Sequence, residues 1–308
     1  MTTAAADPRS ADLCSVELGE VVRSRGIAIA PLFPRAMPRA GYVTLAEALP
    51  LGVRVEEVDA AGSVPELRVV NRTALRVLLH DGEELIGAKQ NRILDVSVLV
   101  EAGATLTIPV SCVERGRWSR RSAAISPAPH ASHPELRRRK AQRMSADRTR
   151  RGAAQGEVWA AVREKSERLG VRSPTGAQSD LYAARRAEIA GLAARFPLRP
   201  GQCGMVLAFA GRAVCLDLVS RPEAFARLHR RILSGYGMDA IEHLDGPDAT
   251  DADIAAFVRR AASGSWRRGP AVGLGEDLRL AGGELLGSGL ALDGEVLQLS
   301  AYAGAGTL

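Results

Sequence analysis

Asp81-Gly82-Glu83-Glu84-Leu85-Ile86-Gly87-Ala88-Lys89-Gln90-Asn91-Arg92 sets a dense polar constellation between two strand-like runs, Leu75 to Leu79 before it and Ile93 to Val100 after it. Short runs of β-branched and apolar residues pack on pleated, half-buried surfaces. A carboxylate or guanidinium inside such a sheet must be paired, shifted in pKa or put to use. The stretch therefore argues for a β-rich fold and for a candidate site in the same place.

Pairing rules turn it into a register. A two-residue turn at Asp81-Gly82 predicts a hairpin with His80 opposite Glu83, Leu79 opposite Glu84, Val77 opposite Ile86 and Leu75 opposite Ala88. Glu84 then shares an apolar face, where burial raises a carboxyl pKa unless a cation stands beside it. Downstream, Arg92, Leu94, Val96, Val98 and Val100 alternate onto one face, as do Leu106, Ile108, Val110, Cys112 and Glu114. A Glu101-Ala102-Gly103 loop with Gly103 left-handed puts Arg92 opposite Cys112 and Gln90 opposite Glu114. Arg92 then has a diagonal reach to Glu114. If the even-numbered face is continuous, Glu84, Gln90, Arg92, Cys112 and Glu114 converge on one side of one sheet, with Glu83 and Lys89 on the other. A bulge at Gly87, or Pro109 with no amide to donate, would break that parity.

Further outward, strand signals dominate up to Trp118, with a brief helix between Leu45 and Leu49. Ser126-Pro127-Ala128-Pro129-His130 reads as a linker, after which the apolar period lengthens toward that of helices. Trp159, Val162 and Leu169 mark one helical stripe; Tyr182, Ile189, Leu192 and Phe196 mark another, stopped by Pro197. Strands return at Met205 to Ala210 and Ala213 to Val219. A helix from Pro222 buries Phe225, Leu228, Ile232 and Tyr236, and a further one runs from Asp251 to Ala262. Asp293-Gly294 between strand-like runs is a strong hairpin signal. The fold class expected is α+β, a mostly antiparallel sheet or sandwich with a helical insert at about 131–197. Residues 1–12 read as a disordered tail and 13–308 as a single domain.

Composition narrows the function classes. A chain of 308 residues with 46% apolar content supplies a real core, and no run approaches the ~18 apolar residues of a membrane span. Met1 to Asp12 lack a signal-peptide pattern, so the cytoplasm is the expected compartment. Cys14, Cys112, Cys203 and Cys215 form no CxxC pair, and reduced thiols are expected. Lys89 is one of only three lysines, with Lys140 and Lys165, among 41 basic residues. The net charge of +6 is concentrated between Arg115 and Arg151, where 12 basic residues meet only Glu135 and Asp147. That segment reads as a solvated helix and loop, or else as a patch for phosphates or a polyanion. Few aromatics interleave it, which weakens the nucleic-acid reading. Walker A, Rossmann, GxSxG and HExxH patterns are all absent from the sequence.

The candidate site is then Glu84 and Glu114 as acid–base carboxylates or ligands of a divalent metal, with Lys89, Gln90, Asn91, Arg92, Arg117 and Trp118 binding a ligand. Arginine forks beside an indole face suit a phosphate and a stacked base. The bland alternative is a buried structural ion-pair network. Cys112 reads as a small buried hydrophobe, and His130 and His133 as solvent-facing residues with a weak metal signal.

Two blocks, Asp81 to Arg92 and Ile108-Pro109-Val110-Ser111-Cys112-Val113-Glu114-Arg115-Gly116-Arg117-Trp118, resemble the ARG and rhodanese-phosphatase-superfamily-associated protein domain, a bacterial family. Gln155-Gly156-Glu157-Val158-Trp159, Ser173-Pro174-Thr175-Gly176, Pro200-Gly201-Gln202 and Leu299-Ser300-Ala301-Tyr302 are similar to its pattern too. Arg115 departs from it, standing where the family pattern has Gln. The resemblance implies genomic company with ADP-ribosylglycohydrolases and phosphatase-like proteins. The expected function is therefore an ADP-ribose- or nucleotide-linked enzyme or ligand-binding domain. The alternative is a non-catalytic module that docks a partner protein or RNA through the 115–151 segment.

Overall fold

A computed structural model describes residues 16–59, 62–119, 122, 124–146, 154–282 and 284–304. The expected tail to Asp12, together with Cys14, lies outside these residues. Strands β1 (Val16–Leu18), β2 (Val22–Ser24) and β3 (Ile27–Pro34) lead to β4 (Val43–Thr44), the one-turn helix α1 (Leu45–Ala48), β5 (Arg54–Glu56) and β6 (Glu66–Val70). Then come β7 (Val77–Leu79), β8 (Glu83–Ile86), β9 (Arg92–Leu94), β10 (Val98–Val100), β11 (Thr105–Cys112) and β12 (Ser126–Ala131). Helices α2 (Pro134–Ala146), α3 (Gln155–Arg168), α4 (Gln178–Ala184) and α5 (Arg186–Ala193) occupy the middle of the chain. β13 (Gly204–Phe209), β14 (Arg212–Val219), α6 (Pro222–Ala240), α7 (Asp251–Ser263), β15 (Trp266–Pro270), β16 (Glu276–Gly282), β17 (Leu285–Leu292) and β18 (Glu295–Ala303) follow. The fold is α+β with mostly antiparallel sheets, and no helix among the described residues is long and apolar enough to cross a membrane.

Strand alternation assigns the layers. In the nine-stranded sheet, ordered β1-β3-β13-β14-β18-β17-β16-β15 with β2 on β3, Ile27 and Ile29 face α6 through Phe225, Leu228 and Ile232. Ala28, Ala30 and Leu32, on the opposite parity, face Ile254 and Phe257 of α7. A three-stranded sheet, β10-β7-β4, packs on a six-stranded one, β12-β8-β9-β11-β6-β5, across Val77, Leu79, Leu85, Leu94, Val98 and Val110. The outer face of the six-stranded sheet puts Ile93 and Val113 under the mid-chain helices, against Leu136, Val158, Val162 and Leu181.

Three expectations are corrected here. The strands flanking Asp81-Gly82 do not pair: β7 joins β10 and β4, whereas β8 joins β9 and β12. Only Gly82 is left-handed in that turn (φ 82°), while a type I′ hairpin needs both central residues so. At Asp293-Gly294 both are left-handed (φ 50° and 81°), and β17 and β18 do form the expected hairpin. The proline-rich stretch from Ser126 is strand β12 and not a linker. Its place at the sheet edge, with a register shift between Pro127 and Ala131, tolerates residues that cannot donate to a ladder. The basic run of α2 is not a solvated face either, because Arg137 and Lys140 are buried.

Those two cations fasten the layers together. Arg137 donates two hydrogen bonds to Asp217 of β14 (2.8 and 2.7 Å) and a third to Ser300 of β18 (2.8 Å). Lys140 pairs with Asp81 at the β7–β8 turn, whose other carboxylate oxygen accepts from Ser288 of β17 (3.0 Å). Burial alone would raise both carboxyls, but Lys140 and Arg137 hold Asp81 below the usual range, and Arg137 does the same for Asp217. A side chain at position 82 would meet Arg137 Cδ at 2.7 Å, so the helix rests on the turn's backbone. Asp217→Ala, which strands a buried guanidinium, is expected to cost ~3–5 kcal/mol in urea unfolding.

Buried titratable groups set the acid limit. His80 is fully buried with neither ring nitrogen hydrogen-bonded, and burial, aided by Arg137, pulls its pKa down to about 4. The unfolded imidazole takes a proton below about 6.5 that the folded one refuses, so this contribution to stability is lost as pH falls from 6.5 toward 4. Asp95, raised by burial to about 6, works in the opposite sense over part of that window. Relative to wild type, His80→Leu should abolish about 2 kcal/mol of the stability loss between pH 7 and pH 5, read from urea midpoints at the two pH values.

Candidate functional site

The site grows from the pairing of β8 with β9. Glu84 lies opposite Ile93 and Leu85 opposite Arg92, with Arg92 opposite Cys112 in turn, so Glu84 and Arg92 sit on opposite faces of the sheet. The even-numbered face does not continue across Gly87, which turns the chain with φ 107° and has no room for a side chain (2.3 Å to the Ala124 carbonyl). Glu84 therefore points toward the mid-chain helices, while Arg92 stays on the sandwich side.

Glu84 is fully buried and accepts from three directions. Asn91 Nδ2 donates to Oε1 (2.9 Å), and Gln178 Nε2 donates to Oε2 (2.7 Å). His130 Nε2 of β12 sits 2.9 Å from the same Oε2. Gln178 comes from the first turn of α4, anchored by its amide on the Val113 carbonyl (2.9 Å). His130 stacks on Tyr182 of the same helix, ring centroids 3.6 Å apart, and Tyr182 in turn donates to the Ala131 carbonyl (2.8 Å). Imidazole position and tilt are both fixed by neighbours. Both histidines read as solvent-facing are in fact buried, His130 here and His133 against Asp239 (2.7 Å).

Asn91 carries the network on. Its backbone amide donates to Glu114 Oε2 (3.2 Å), and its side-chain oxygen accepts from Arg117 (3.0 Å). Arg117 also binds Glu114 (2.6 Å), whose other oxygen accepts from Thr175 (3.1 Å). Glu84, Asn91, Glu114 and Arg117 thus belong together, although Arg117 and not Arg92 is the cation on Glu114. With every carboxylate oxygen in contact with a donor, this arrangement suits orienting work better than metal ligation.

Lys89, Arg92 and Trp118 form a separate group. The Lys89 ammonium and Arg92 guanidinium lie 5.5 and 5.6 Å from the Trp118 ring, which is 47% exposed. Arg92 spends its donors on the carbonyls of Val64 (3.0 Å), Gln90 (2.9 Å) and Ser63 (3.4 Å). Gln90, nearly buried, reaches the Arg115 carbonyl (3.4 Å). Cys112 is buried beside Arg92, and burial raises its thiol pKa, as a structural cysteine requires. Cys112, Cys203 and Cys215 are free thiols.

His130 opens on a cleft of about 700 Å³ between α4, α5 and α6. Tyr182, Ile189 and Leu233 supply apolar wall, and His229 adds an imidazole that burial lowers to about 4. Arg186 and Arg230 stand exposed at the cleft without a carboxylate partner among the described residues. None of these lining residues stood out as site residues in the sequence: the prolines around His130 masked it, and the cleft residues follow ordinary helical spacing. One signal was available in the Ser173-Pro174-Thr175-Gly176 turn, which delivers Thr175 to Glu114 and sets up Gln178.

The shared blocks quoted above map onto this network: Asp81 to Arg92 supplies Glu84 and Asn91, Ile108 to Trp118 supplies Glu114 and Arg117, and the Ser173 turn supplies Thr175. No curated protein and no solved structure matches the chain. A family model does match, over residues 15–302, and the chain belongs to the ARG and Rhodanese-Phosphatase-superfamily-associated Protein domain family.

Proposed function

We propose that the cleft beside His130 binds a phosphorylated small molecule, a nucleotide or ADP-ribose-like ligand, and that His130 is its acid–base group. One observation carries this reading: a buried carboxylate, Glu84, holds the Nε2 side of an imidazole that lines an open cleft. Glu84 accepts amide hydrogen bonds at both oxygens, so the imidazole completes its shell as a donor through Nε2. That tautomer leaves the Nδ1 lone pair to meet a substrate proton or an attacking water. Such an orienting carboxylate behind a histidine is a general device of acid–base catalysis. Arg186 and Arg230 offer donors for phosphate oxygens, and the apolar wall suits a base or ribose. The family's name, with its phosphatase-superfamily association, agrees with a phosphorylated ligand.

Glu84, Asn91, Glu114 and Arg117 act here as positioning residues. The alternative, a module that docks a partner protein or RNA through the 115–151 segment, would have to work without Arg137 and Lys140, which are spent on buried carboxylates.

Thermal shift and calorimetry with AMP, ADP-ribose and NAD on the full chain test the reading. At least one should bind, and Arg230→Gln or Arg186→Gln should weaken it about tenfold, the cost of one charge-assisted hydrogen bond. His130→Gln should leave binding within a few-fold while lowering turnover of the bound ligand by roughly a hundredfold or more. Absence of binding across the panel, or binding indifferent to both arginines, would refute it.

A further inference from the structure

A second cleft, of about 420 Å³, lies at the far end of α6 and is built from different residues: α2 contributes Arg138, α3 Lys165 and Arg168, β14 Arg212, and α6 Asp239. His133, Glu135 and Asp239 group there closely enough to hold a metal ion by geometry alone. The cation position is already taken. Lys165 Nζ lies 2.8 Å from Asp239 and 3.3 Å from Glu135 and also pairs with Glu242, while Arg168 bonds Glu135 (2.5 Å) and Glu242 (2.8 Å). Burial would raise the Asp239 carboxyl, yet Lys165 and His133 hold it well below its ordinary value.

Two further guanidiniums are left over. Arg138 is only 9% exposed, and its Nη1 has no hydrogen-bond partner; Arg212 Nη1 is also buried without one. The Tyr302 hydroxyl, on the same wall, is a third buried group without a partner. Burial draws the pKa of Arg138 down despite Glu135 nearby, and that of Arg212 down as well, as expected of cations short of a counter-charge. Beside them, Phe209 and His243 stack with centroids 4.4 Å apart and give the cleft an aromatic wall.

We infer that this cleft is a binding site for a small organic oxyanion, a carboxylate or phosphate monoester, whose charged head meets Arg138 and Arg212 and whose apolar body packs on Phe209 and His243. A guanidinium fork serves both oxyanions equally well, so the head-group chemistry is shared. The inference does not rest on the His130 cleft.

Calorimetry of the full chain at low ionic strength, with phenyl phosphate, benzoate and inorganic phosphate as probes, tests it. Phenyl phosphate or benzoate should bind more tightly than inorganic phosphate, and the stronger of the two identifies the head group. With the other cleft silenced by Arg186→Gln and Arg230→Gln, Arg138→Gln and Arg212→Gln should each weaken the remaining binding at least tenfold. If Arg138→Gln fails to fold, the more exposed Arg212→Gln carries the test alone. Binding that survives both substitutions, no binding of any probe, or stabilisation by Zn²⁺ without any effect of the anions would overturn the inference.

Discussion

The fork of Arg137 on Asp217, with Lys140 on Asp81 one helical turn further on, is the constraint on which the remaining architecture depends. Two buried cations of α2 are matched to two buried carboxylates, one in the nine-stranded sheet and one at the β7–β8 turn. A buried ion pair gains little over a well-packed apolar contact, but it is costly to misplace, so it specifies geometry more than it adds stability. Here it specifies where the chain leaves one small sheet and enters another. Because Asp81 is held by the helix, β8 departs from β7 and pairs with β9 and β12. That departure turns Glu84 toward the mid-chain helices, where Gln178 and His130 meet it.

The same geometry explains which parts of the fold were legible in the sequence. Helix α6 announces itself through Pro222 and the spacing of Phe225, Leu228, Ile232 and Tyr236, all within one element. The Asp293-Gly294 hairpin is equally local. Asp81-Gly82 has the same dipeptide but a different fate, decided by a lysine 59 residues away. Arg92 opposite Cys112 was readable from alternation together with the turn at Gly103, whereas the parity of Glu84 was lost at Gly87, where a left-handed residue resets the face. Partners of Glu84 lie 46 and 94 residues downstream, at His130 and Gln178, beyond the reach of any periodicity.

For the site, residue types were more legible than residue partnerships. Glu84, Asn91, Glu114 and Arg117 do form one network, but Lys89, Arg92 and Trp118 stand apart from it. Oxygens of the two carboxylates are met by amide, guanidinium and hydroxyl donors and by the His130 imidazole, which fixes their orientation; in the proposed function they serve as support. The group they support is the imidazole at the cleft. From half-buried Thr175 the chain runs through Glu114, Asn91 and Glu84, buried groups that are costly to leave unmatched. Rigidity at His130 is the consequence.

The protonation pattern of that imidazole is the most direct test of its role. Nitrogen-15 NMR of the His130 ring, assigned by its loss in His130→Gln, reports directly which nitrogen carries the proton. The Nε2–H tautomer, with an Nδ1 resonance that moves when AMP or ADP-ribose is added, is the expected result. An Nδ1–H tautomer, or ring resonances indifferent to every ligand that binds the protein, would contradict it.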